Sequence, residues 1–327
     1  MTGLSDSFQR PINYLRISVT DRCNLRCVYC MPPEGIALMS HHYVLSYEEI
    51  FTLVKAAAEL GIDRVRLTGG EPLVRAGLPD LIKMIAGIDT IKDIALTTNG
   101  TLLTKYAADL KAVGLQRVNV SLDTLKPERF RQITRCGELE ETLKGIESAE
   151  KAGLNPVKIN MVVMAGVNDD ELPDFARKTI KDGWHVRFIE HMPVNGEGSN
   201  SISLVSVKEM KKRLDFLGKM EPFKLDKGNG PAKYFRYPDA NGTVGFITPV
   251  TEHFCYQCNR LRLTADGKLR LCLLHEDEID LREPLRAGAS VEELKTLITK
   301  AIAAKPKEHQ LADGTIHKGR PFSQVGG

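Results

Sequence analysis

Residues 16–32 read RISVTDRCNLRCVYCMP, a stretch in which a strand-like run leads into Cys23, Cys27 and Cys30. Three thiolates at this CxxxCxxC spacing can bind three irons of a 4Fe–4S cluster and leave the fourth iron open to a small molecule. A structural zinc site normally takes four protein ligands, and a ferredoxin also fills all four iron positions. The stretch therefore favours a cluster with one open iron over the alternative of three buried or zinc-bound cysteines.

Outward from this stretch, strand-like and helix-like segments alternate along the chain. The helical spacing of apolar residues over 46–60 ends at Gly61, and later helical segments end at Gly114 and Gly153. Such alternation indicates βαβ units and a parallel sheet. Six units without a Rossmann glycine fingerprint favour an α/β fold, a partial (β/α)6 TIM-type barrel. The predicted strands cover 14–19, 64–68, 91–97, 117–122, 157–164 and 186–190.

The pattern changes after Met192, where a loop, a helix, short strands rich in glycine and proline, and two more helical patterns follow. The loop lies at 195–200, the helix at 207–217 and the short strands within 219–270. The two further helical patterns lie near Leu281 and at 291–304. We therefore expect a barrel domain over 1–220 and a mixed α+β C-terminal extension over 221–327.

The composition excludes several classes of protein. The 327 residues are 42% hydrophobic and 27% charged, with a formal net charge of +3. No run approaches the roughly 20 apolar residues of a membrane span, and the N-terminus lacks the features of a signal peptide. We expect a cytoplasmic protein without a membrane or nucleic-acid partner, because so small a charge does not indicate nucleic-acid binding. A reducing cytosol also argues against disulfides among the seven cysteines.

A second group of cysteines lies in the extension, at Cys255, Cys258 and Cys272. A CxxC pair plus one more cysteine can also form a zinc site, with His253 or His275 as the fourth ligand. Once the first group is interpreted as an iron–sulfur site, an auxiliary cluster becomes the better interpretation of the second. Its open iron could hold a substrate.

Several cationic residues stand on predicted strands. Arg260 and Arg262 lie two positions apart beside the second cysteine group, so they share one face of a short strand. Arg16, Arg66 and Lys158 lie on barrel strands, where their side chains could point inward. A buried arginine without an anion is costly, and arginine suits phosphate oxygens through charge-assisted hydrogen bonds. Together these residues favour a polyanionic ligand, although any one of them taken singly could equally be a surface charge.

The cysteine stretch is similar to that of the radical S-adenosylmethionine superfamily, and the run TGGEP at 68–72 fits the same superfamily. Further runs, in order and over nearly the whole chain, resemble the GTP 3′,8-cyclase family of molybdenum-cofactor biosynthesis. They are RVRLTGGEPLVR at 64–75, LTTNGTLL at 96–103, VNVSLDTL at 118–125, KINMVVM at 158–164, RFIEHMP at 187–193 and TPVTEHFCYQCNRLRLTADGKLRLCL at 248–273.

This resemblance implies two 4Fe–4S clusters and S-adenosylmethionine as cofactors. Cleavage of S-adenosylmethionine gives a 5′-deoxyadenosyl radical, which removes the ribose 3′ hydrogen of GTP. The carbon radical then adds to guanine carbon 8, giving 3′,8-cyclo-7,8-dihydro-GTP for molybdopterin. The second cluster is implied to bind the guanine ring. The implied ligands are Cys23, Cys27 and Cys30 for the first cluster and Cys255, Cys258 and Cys272 for the second.

The resemblance also implies particular contacts. The implied catalytic residues are Cys23, Cys27, Cys30, Arg260 and Arg262. The implied contacts to S-adenosylmethionine are Tyr29, Gly70, Ser121 and Met192. The implied contacts to GTP are Arg16, Arg66, Thr97, Lys158, Arg260, Leu261 and Arg262. We also expect Arg187 near the nucleoside and Asp123 near the nucleoside or the methionine, although Ser121 and Asp123 could equally serve a turn or a helix cap.

The family resemblance further implies an electron donor such as flavodoxin or ferredoxin, a downstream cyclic pyranopterin monophosphate synthase and a homodimer. Gly326 and Gly327 match a family tail that enters the active site. The residues before them, FSQV at 322–325, replace the methionine and isoleucine usual in the family. Cys136 belongs to neither cysteine group and has no expected role.

Two other functions stay open on the sequence. A radical enzyme with an auxiliary cluster that acts on a peptide would usually carry a peptide-binding module and lack phosphate-binding arginines. A non-enzymatic iron–sulfur or zinc protein would have four ligands per site and no TGGEP loop.

Overall fold

Twelve strands in the described part of the chain form one β-sheet. The computed structural model describes residues 3–192, 202–225, 228, 230–309, 311 and 320–326, so the predicted loop at 195–200 and Gly327 lie outside the described residues. The strands are β1 Tyr14–Ser18, β2 Arg64–Thr68, β3 Asp93–Thr98, β4 Arg117–Ser121, β5 Lys158–Val163, β6 His185–Glu190, β7 Glu221–Pro222, β8 Lys233–Arg236, β9 Thr243–Ile247, β10 Arg260–Leu263, β11 Lys268–Arg270 and β12 Glu278–Asp280.

Helices connect the barrel strands and continue into the extension. They are α1 Tyr47–Glu59, α2 Leu78–Ala86, α3 Leu103–Ala112, α4 Pro127–Thr134, α5 Leu139–Lys151, α6 Leu172–Lys181, α7 Val207–Leu214, α8 Arg282–Arg286, α9 Val291–Ala303 and α10 Phe322–Val325. Within the ranges that the structure describes, none is long and apolar enough to cross a membrane.

The first six strands pair in chain order and in parallel, which confirms the predicted partial (β/α)6 barrel. The extension then adds a parallel strand at each side of this sheet. Strand β10 pairs with β1, and β9 pairs with β6. Eight parallel strands therefore run in the order β10-β1-β2-β3-β4-β5-β6-β9, with short antiparallel strands outside them. The extension continues the barrel sheet instead of forming a separate layer.

Local sequence sets the helix ends, as α1 illustrates. The Ser46 hydroxyl accepts a hydrogen bond from the Glu49 amide, and the Glu49 carboxylate accepts one from the Ser46 amide. This capping box satisfies two amide groups that have no partner inside the helix. The helix ends just before Gly61, which has a φ of +110°. The predicted helix over 207–217 ends earlier, at Leu214, where a turn of 3₁₀ helix continues to 217.

The two faces of the parallel strands differ in polarity. Register partners lie on the same face, so Arg262, Arg16 and Arg66 form one row across β10, β1 and β2. Alternate residues such as Ile17 and Leu67 belong to the apolar core on the helix side. Parallel sheets normally carry apolar side chains on both faces. The polar inner face here indicates that the inside of the barrel receives a ligand.

Candidate active site

One cavity lies inside the barrel, and residues from all eight parallel strands line it. Both cysteine groups line this same cavity: Cys23, Cys27, Cys30, Cys255, Cys258 and Cys272. The first group follows the carboxyl end of β1, and Thr68, Gly70 and Ser121 stand at the carboxyl ends of β2 and β4. Barrel enzymes place their chemistry at this end of the strands. The fold thus brings two distant parts of the sequence to one site.

The first cysteine loop is held by its own backbone. The Cys30 amide donates to the Cys27 carbonyl at 2.9 Å, and the Arg26 side chain donates to the Cys23 carbonyl at 2.6 Å. Burial raises the pKa of Cys23 to about 11 and that of Cys30 to about 12. The metal-free thiols therefore hold their protons at neutral pH, and binding of iron must release them.

The two glycines of TGGEP are required by packing against this loop. A Cβ on Gly70 would lie 2.4 Å from the Arg22 carbonyl oxygen, and one on Gly69 would lie 2.7 Å from the Thr20 carbonyl oxygen. The Gly70 amide donates to the Thr20 carbonyl at 2.7 Å. The glycine loop therefore supports the cysteine loop directly, whatever contact Gly70 makes with a cofactor.

Glu71 is a buried carboxyl group of the cavity that the sequence reasoning did not single out. It accepts hydrogen bonds from the Leu73 amide at 3.1 Å, the Asn99 amide at 2.7 Å and the Thr98 hydroxyl at 2.7 Å. Burial raises its pKa to about 7 in spite of these bonds. Glu71 thus ties the loops after β2 and β3 together. The sequence feature that could have identified Glu71 is its position directly after the glycine pair.

Asp123 lies beside Tyr29, and both line the cavity. The Tyr29 hydroxyl donates to Asp123 at 2.8 Å, and the Val162 amide donates to the other carboxylate oxygen at 2.8 Å. Burial raises the pKa of Asp123 to about 6. Asp123 therefore orients the aromatic residue of the cysteine loop. Ser121 and Met192 also line the cavity.

The row of arginines carries concentrated positive charge inside the barrel. Burial, together with the charge of Arg260, lowers the pKa of Arg262 to about 10, and burial likewise lowers that of Arg66 to about 10. The Nε atoms of Arg66 and Arg187 and the hydroxyl of Thr97 have no hydrogen-bond partner within the described ranges. Buried, mutually repelling cations with unused donors fit a polyanionic ligand.

Lys158 lies deeper, near the amino ends of the strands, and is only 2% exposed. Burial, followed by the charges of Arg187 and Arg117, lowers its pKa to about 6. It does not line the cavity itself; its ammonium group lies 5.5 Å from the centre of the Tyr234 ring. Arg117 is paired with Asp93. The sequence reasoning did not identify Arg117 and Asp93, although Arg117 begins an alternation of inward polar residues along β4.

Leu261 was predicted to contact substrate, but its side chain does not reach the cavity. It is 1% exposed and belongs to the hydrophobic core, on the opposite face of β10 from Arg260 and Arg262. This follows from strand geometry, because successive side chains point to opposite faces. Leu261 can contribute to the site only through its backbone.

The second cysteine group is surrounded by cations. Burial would raise the pKa of Cys258, but the positive charges of Arg260 and Lys305 outweigh it and lower the pKa to about 7. Lys305 is buried and donates to the carbonyls of Arg260 and Leu271. No pattern in the sequence singles out Lys305, because its role depends on the packing of the segment after α9 against β10.

Comparisons with known proteins identify the family. A model described as the radical SAM superfamily matches residues 17–179, and one described as Molybdenum Cofactor Synthesis C matches residues 184–311. The GTP 3′,8-cyclase of Pelotomaculum thermopropionicum is 53% identical over 326 residues, covering 99% of this chain and 100% of that protein. That of Heliobacterium modesticaldum is 52% identical, covering 98% and 99%. The chain belongs to the GTP 3′,8-cyclase family.

The solved structures agree on the fold of this family member. A crystal structure of Streptococcus suis SuiB bound to precursor peptide SuiA aligns with a TM-score of 0.64 at 12% identity, covering 96% of this chain and 76% of that one. SuiB bound to S-adenosylmethionine gives 0.63 at 12% identity, covering 93% and 67%. At this identity the likeness shows a shared fold only. The full-length relatives favour the cyclase prediction over the peptide-modifying alternative.

Membership of the GTP 3′,8-cyclase family carries the predicted cofactors, two 4Fe–4S clusters and S-adenosylmethionine. Within the described ranges, no group of three or more His, Cys, Asp or Glu side chains is arranged to hold a single metal ion. A four-iron cluster needs no such group, because each thiolate binds a different iron. Three cavity-facing thiols in each cysteine group fit a cluster of this kind.

The described part of the C-terminal tail, residues 320–326, reaches the cavity of this cyclase-family chain. The carbonyl of Gly326 accepts hydrogen bonds from Arg16 at 2.9 Å and from Arg262 at 2.6 Å. Gly326 has a φ of +70°, and a Cβ there would lie 2.4 Å from the Thr68 methyl group. Only glycine fits this position. The absence of the methionine and isoleucine usual in the family therefore does not keep the tail out of the site.

Proposed function

We propose that this chain converts GTP into 3′,8-cyclo-7,8-dihydro-GTP in molybdenum-cofactor biosynthesis, using S-adenosylmethionine as the radical source. The observation that carries the proposal is that both cysteine groups and a row of buried arginines line one cavity. Relatives about half identical over their full length bear the name GTP 3′,8-cyclase.

The first cysteine group serves S-adenosylmethionine in this proposal. Cys23, Cys27 and Cys30 hold the first cluster, which when bound supplies the electron that cleaves S-adenosylmethionine. Asp123 accepts a hydrogen bond from the Tyr29 hydroxyl and so holds the Tyr29 ring in place, beside the bound cofactor. The other contacts that we propose for S-adenosylmethionine are Gly70, Ser121 and Met192, which all line the cavity.

The substrate occupies the arginine side of the cavity. We propose that the guanidinium groups neutralise the triphosphate through charge-assisted hydrogen bonds. The second cysteine group, Cys255, Cys258 and Cys272, lies on the same side and holds the cluster that receives guanine. The GTP contacts that we propose are Arg16, Arg66, Thr97, Arg187, Arg260, Arg262 and the backbone of Leu261. Lys158, which lies below the cavity lining, would join them only by turning its side chain toward the ligand.

The setting of the reaction follows from the same proposal. We propose a homodimer that works in the cytoplasm, with a low-potential electron donor such as flavodoxin or ferredoxin. A cyclic pyranopterin monophosphate synthase would take up the product. We also propose that the chain divides near residue 220, into a radical S-adenosylmethionine barrel over 1–220 and an extension over 221–327 that carries the second cluster and the glycine tail.

The test is anaerobic reconstitution with iron and sulfide, followed by incubation with S-adenosylmethionine, a reductant and GTP. We expect about eight irons per chain, in two clusters. We also expect 5′-deoxyadenosine formation that depends on GTP, together with a cyclised product of unchanged phosphate count. Cleavage that is equal with and without GTP, or that yields no GTP-derived product, would refute the proposal.

The second cysteine group can be tested separately. Replacing Cys258 by alanine should remove about four irons and abolish the cyclised product, while the first cluster and slow uncoupled cleavage of S-adenosylmethionine remain. The reason is that the second group faces the proposed substrate and supplies no ligand to the first cluster. Iron analysis, product chromatography and 5′-deoxyadenosine quantification check this. Zinc in place of iron in the anaerobically purified parent protein would contradict it.

The tail glycine can be tested by adding a single carbon. Replacing Gly326 by alanine should lower product formation by about tenfold or more, because the Cβ collides with Thr68 and the positive φ disfavours an L side chain. Both clusters and binding of S-adenosylmethionine should persist. Gly166 has the same φ of +70° but nothing within 4 Å of its Cβ position, so Gly166→Ala is the matched control. Equal activity of the two variants would show that the collision is harmless.

A further inference from the structure

A cluster of charges outside the cavity holds the start of the C-terminal tail. The guanidinium group of Arg320 forms two parallel hydrogen bonds of 2.9 Å with the Asp266 carboxylate. Its Nη2 also contacts Glu278 at 2.8 Å. Asp266 lies in the turn between β10 and β11, and Glu278 begins β12. Arg320 is therefore attached to the same edge of the sheet that carries Arg262.

These acidic groups are themselves held in position. Asp266 accepts a hydrogen bond from the Thr264 hydroxyl at 2.6 Å, and Glu278 accepts one from Arg270 at 2.6 Å. The side chains of Arg320, Asp266 and Glu278 are 22%, 12% and 18% exposed. A planar guanidinium group in a bidentate pair, partly shielded from water, has a defined geometry that a flexible surface pair lacks. We call this group of Arg320, Asp266 and Glu278 the tail clamp.

The residues that follow the tail clamp reach both halves of the site. Ser323 lines the cavity together with Cys30, and the Ser323 hydroxyl is buried with no partner in the part of the chain described. Three residues later, the Gly326 carbonyl accepts from Arg16 and Arg262. Seven residues thus connect the clamp with a ligand of the first cluster and with two arginines proposed to bind GTP.

We propose that Arg320 is a positioning residue for the reaction: its ion pairs with Asp266 and Glu278 set where Ser323 meets Cys30 and where Gly326 meets the arginines. The inference rests on the proposed function for its meaning in catalysis, but the placement of the tail can be measured without turnover. The tail helix has only four residues, too few to be stable alone, so its position must come from contacts such as the clamp.

The test uses hydrogen exchange and mass spectrometry on the anaerobic holoenzyme, following the C-terminal peptide. The amides of Gln324 and Gly326 are hydrogen-bonded and should exchange slowly in the parent protein. In Arg320→Met we expect them to exchange about tenfold faster or more, because the open state of the tail becomes more populated. The exchange rate in Arg320→Lys should lie between those of the parent protein and Arg320→Met, since lysine keeps the charge but not the bidentate geometry.

Two further measurements separate positioning from general damage. The electron paramagnetic resonance signal of the reduced first cluster should change in Arg320→Met, because Ser323 moves away from its place beside Cys30 in the cavity lining. Asp266→Asn removes the carboxylate of the Arg320–Asp266 pair. It should change the exchange of the tail amides and the cluster signal in the same way as Arg320→Met. The control is Arg131→Met, which removes an exposed bidentate pair with Glu138. It should leave the exchange of the tail amides and the cluster signal unchanged.

The outcomes are distinct. Unchanged exchange of the tail amides in both Arg320→Met and Asp266→Asn would overturn the tail clamp, whatever the activity. Failure of the parent protein to convert GTP would refute the proposed function and leave the exchange result valid as a statement about tail placement. Faster exchange with an unaltered cluster signal would refute the link to Cys30.

Discussion

Replacing Cys27 by alanine is expected to abolish reductive cleavage of S-adenosylmethionine. The first cysteine group offers only three thiols, so the loss of one leaves two, too few to hold a site-differentiated four-iron cluster. The second group lies on other elements and should still bind its cluster. Quantifying 5′-deoxyadenosine after reduction, with iron counting per chain, measures both effects. We expect cleavage at background and about half of the iron retained.

The chain offers a matched control in its seventh cysteine. Cys136 is exposed, belongs to neither group, and its sulfur contacts the Asn24 carbonyl at 3.4 Å beside the cysteine loop. Cys136→Ala should retain both clusters and normal cleavage. If Cys27→Ala cleaved S-adenosylmethionine at the parent rate, or if Cys136→Ala lost cleavage as fully as Cys27→Ala, the assignment of the first cluster would be wrong.

Replacing Arg262 by alanine is expected to weaken GTP binding by roughly thirtyfold to several thousandfold. Losing one partner of a desolvated arginine–phosphate pair typically costs about 2–5 kcal/mol. Arg262 is buried in a row with Arg16, so the triphosphate would lose a donor that water cannot replace. Anaerobic equilibrium binding of GTP to the reconstituted protein measures the effect. Both clusters and binding of S-adenosylmethionine should persist in the variant.

The control is an arginine that stands on the same sheet but outside the cavity. Arg236 lies on β8 with its guanidinium group over the Phe223 ring, and Arg236→Ala should bind GTP normally. Guanosine, which lacks phosphates, should bind the parent protein far more weakly than GTP does. Equal affinity for guanosine and GTP, or no loss in Arg262→Ala, would show that the arginine row serves another purpose.

Much of the site could be predicted because its residues lie in short local patterns. Cys23, Cys27 and Cys30 lie within eight residues, and their spacing indicates an iron–sulfur cluster. The TGGEP run stands at the end of a recognisable strand. Helix ends were equally readable, since caps and glycine stops act on neighbouring residues. The structure places the predicted strands and helices within a few residues of the expected bounds.

Other properties of the site depend on contacts between segments that are distant in the sequence. Glu71 owes its raised pKa to burial among loops of two strands, and Lys305 acts through carbonyls on β10 and beyond. The family resemblance implied Leu261 as a substrate contact, but strand geometry places its side chain in the core. Arg320 stands in a polar tail, and its partners lie more than forty residues away in the sequence.

The sequence by itself determined the barrel units, the two cysteine groups and the kind of chemistry they support, because each depends on residues close together in the chain. Only the tertiary structure decided that these parts form one site. The deciding feature is the parallel pairing of β10 with β1, which sets Arg262 beside Arg16. Pairing of distant strands depends on packing across the whole sheet, and a one-residue change in the register of β10 would turn Arg260 and Arg262 to the other face, away from Arg16.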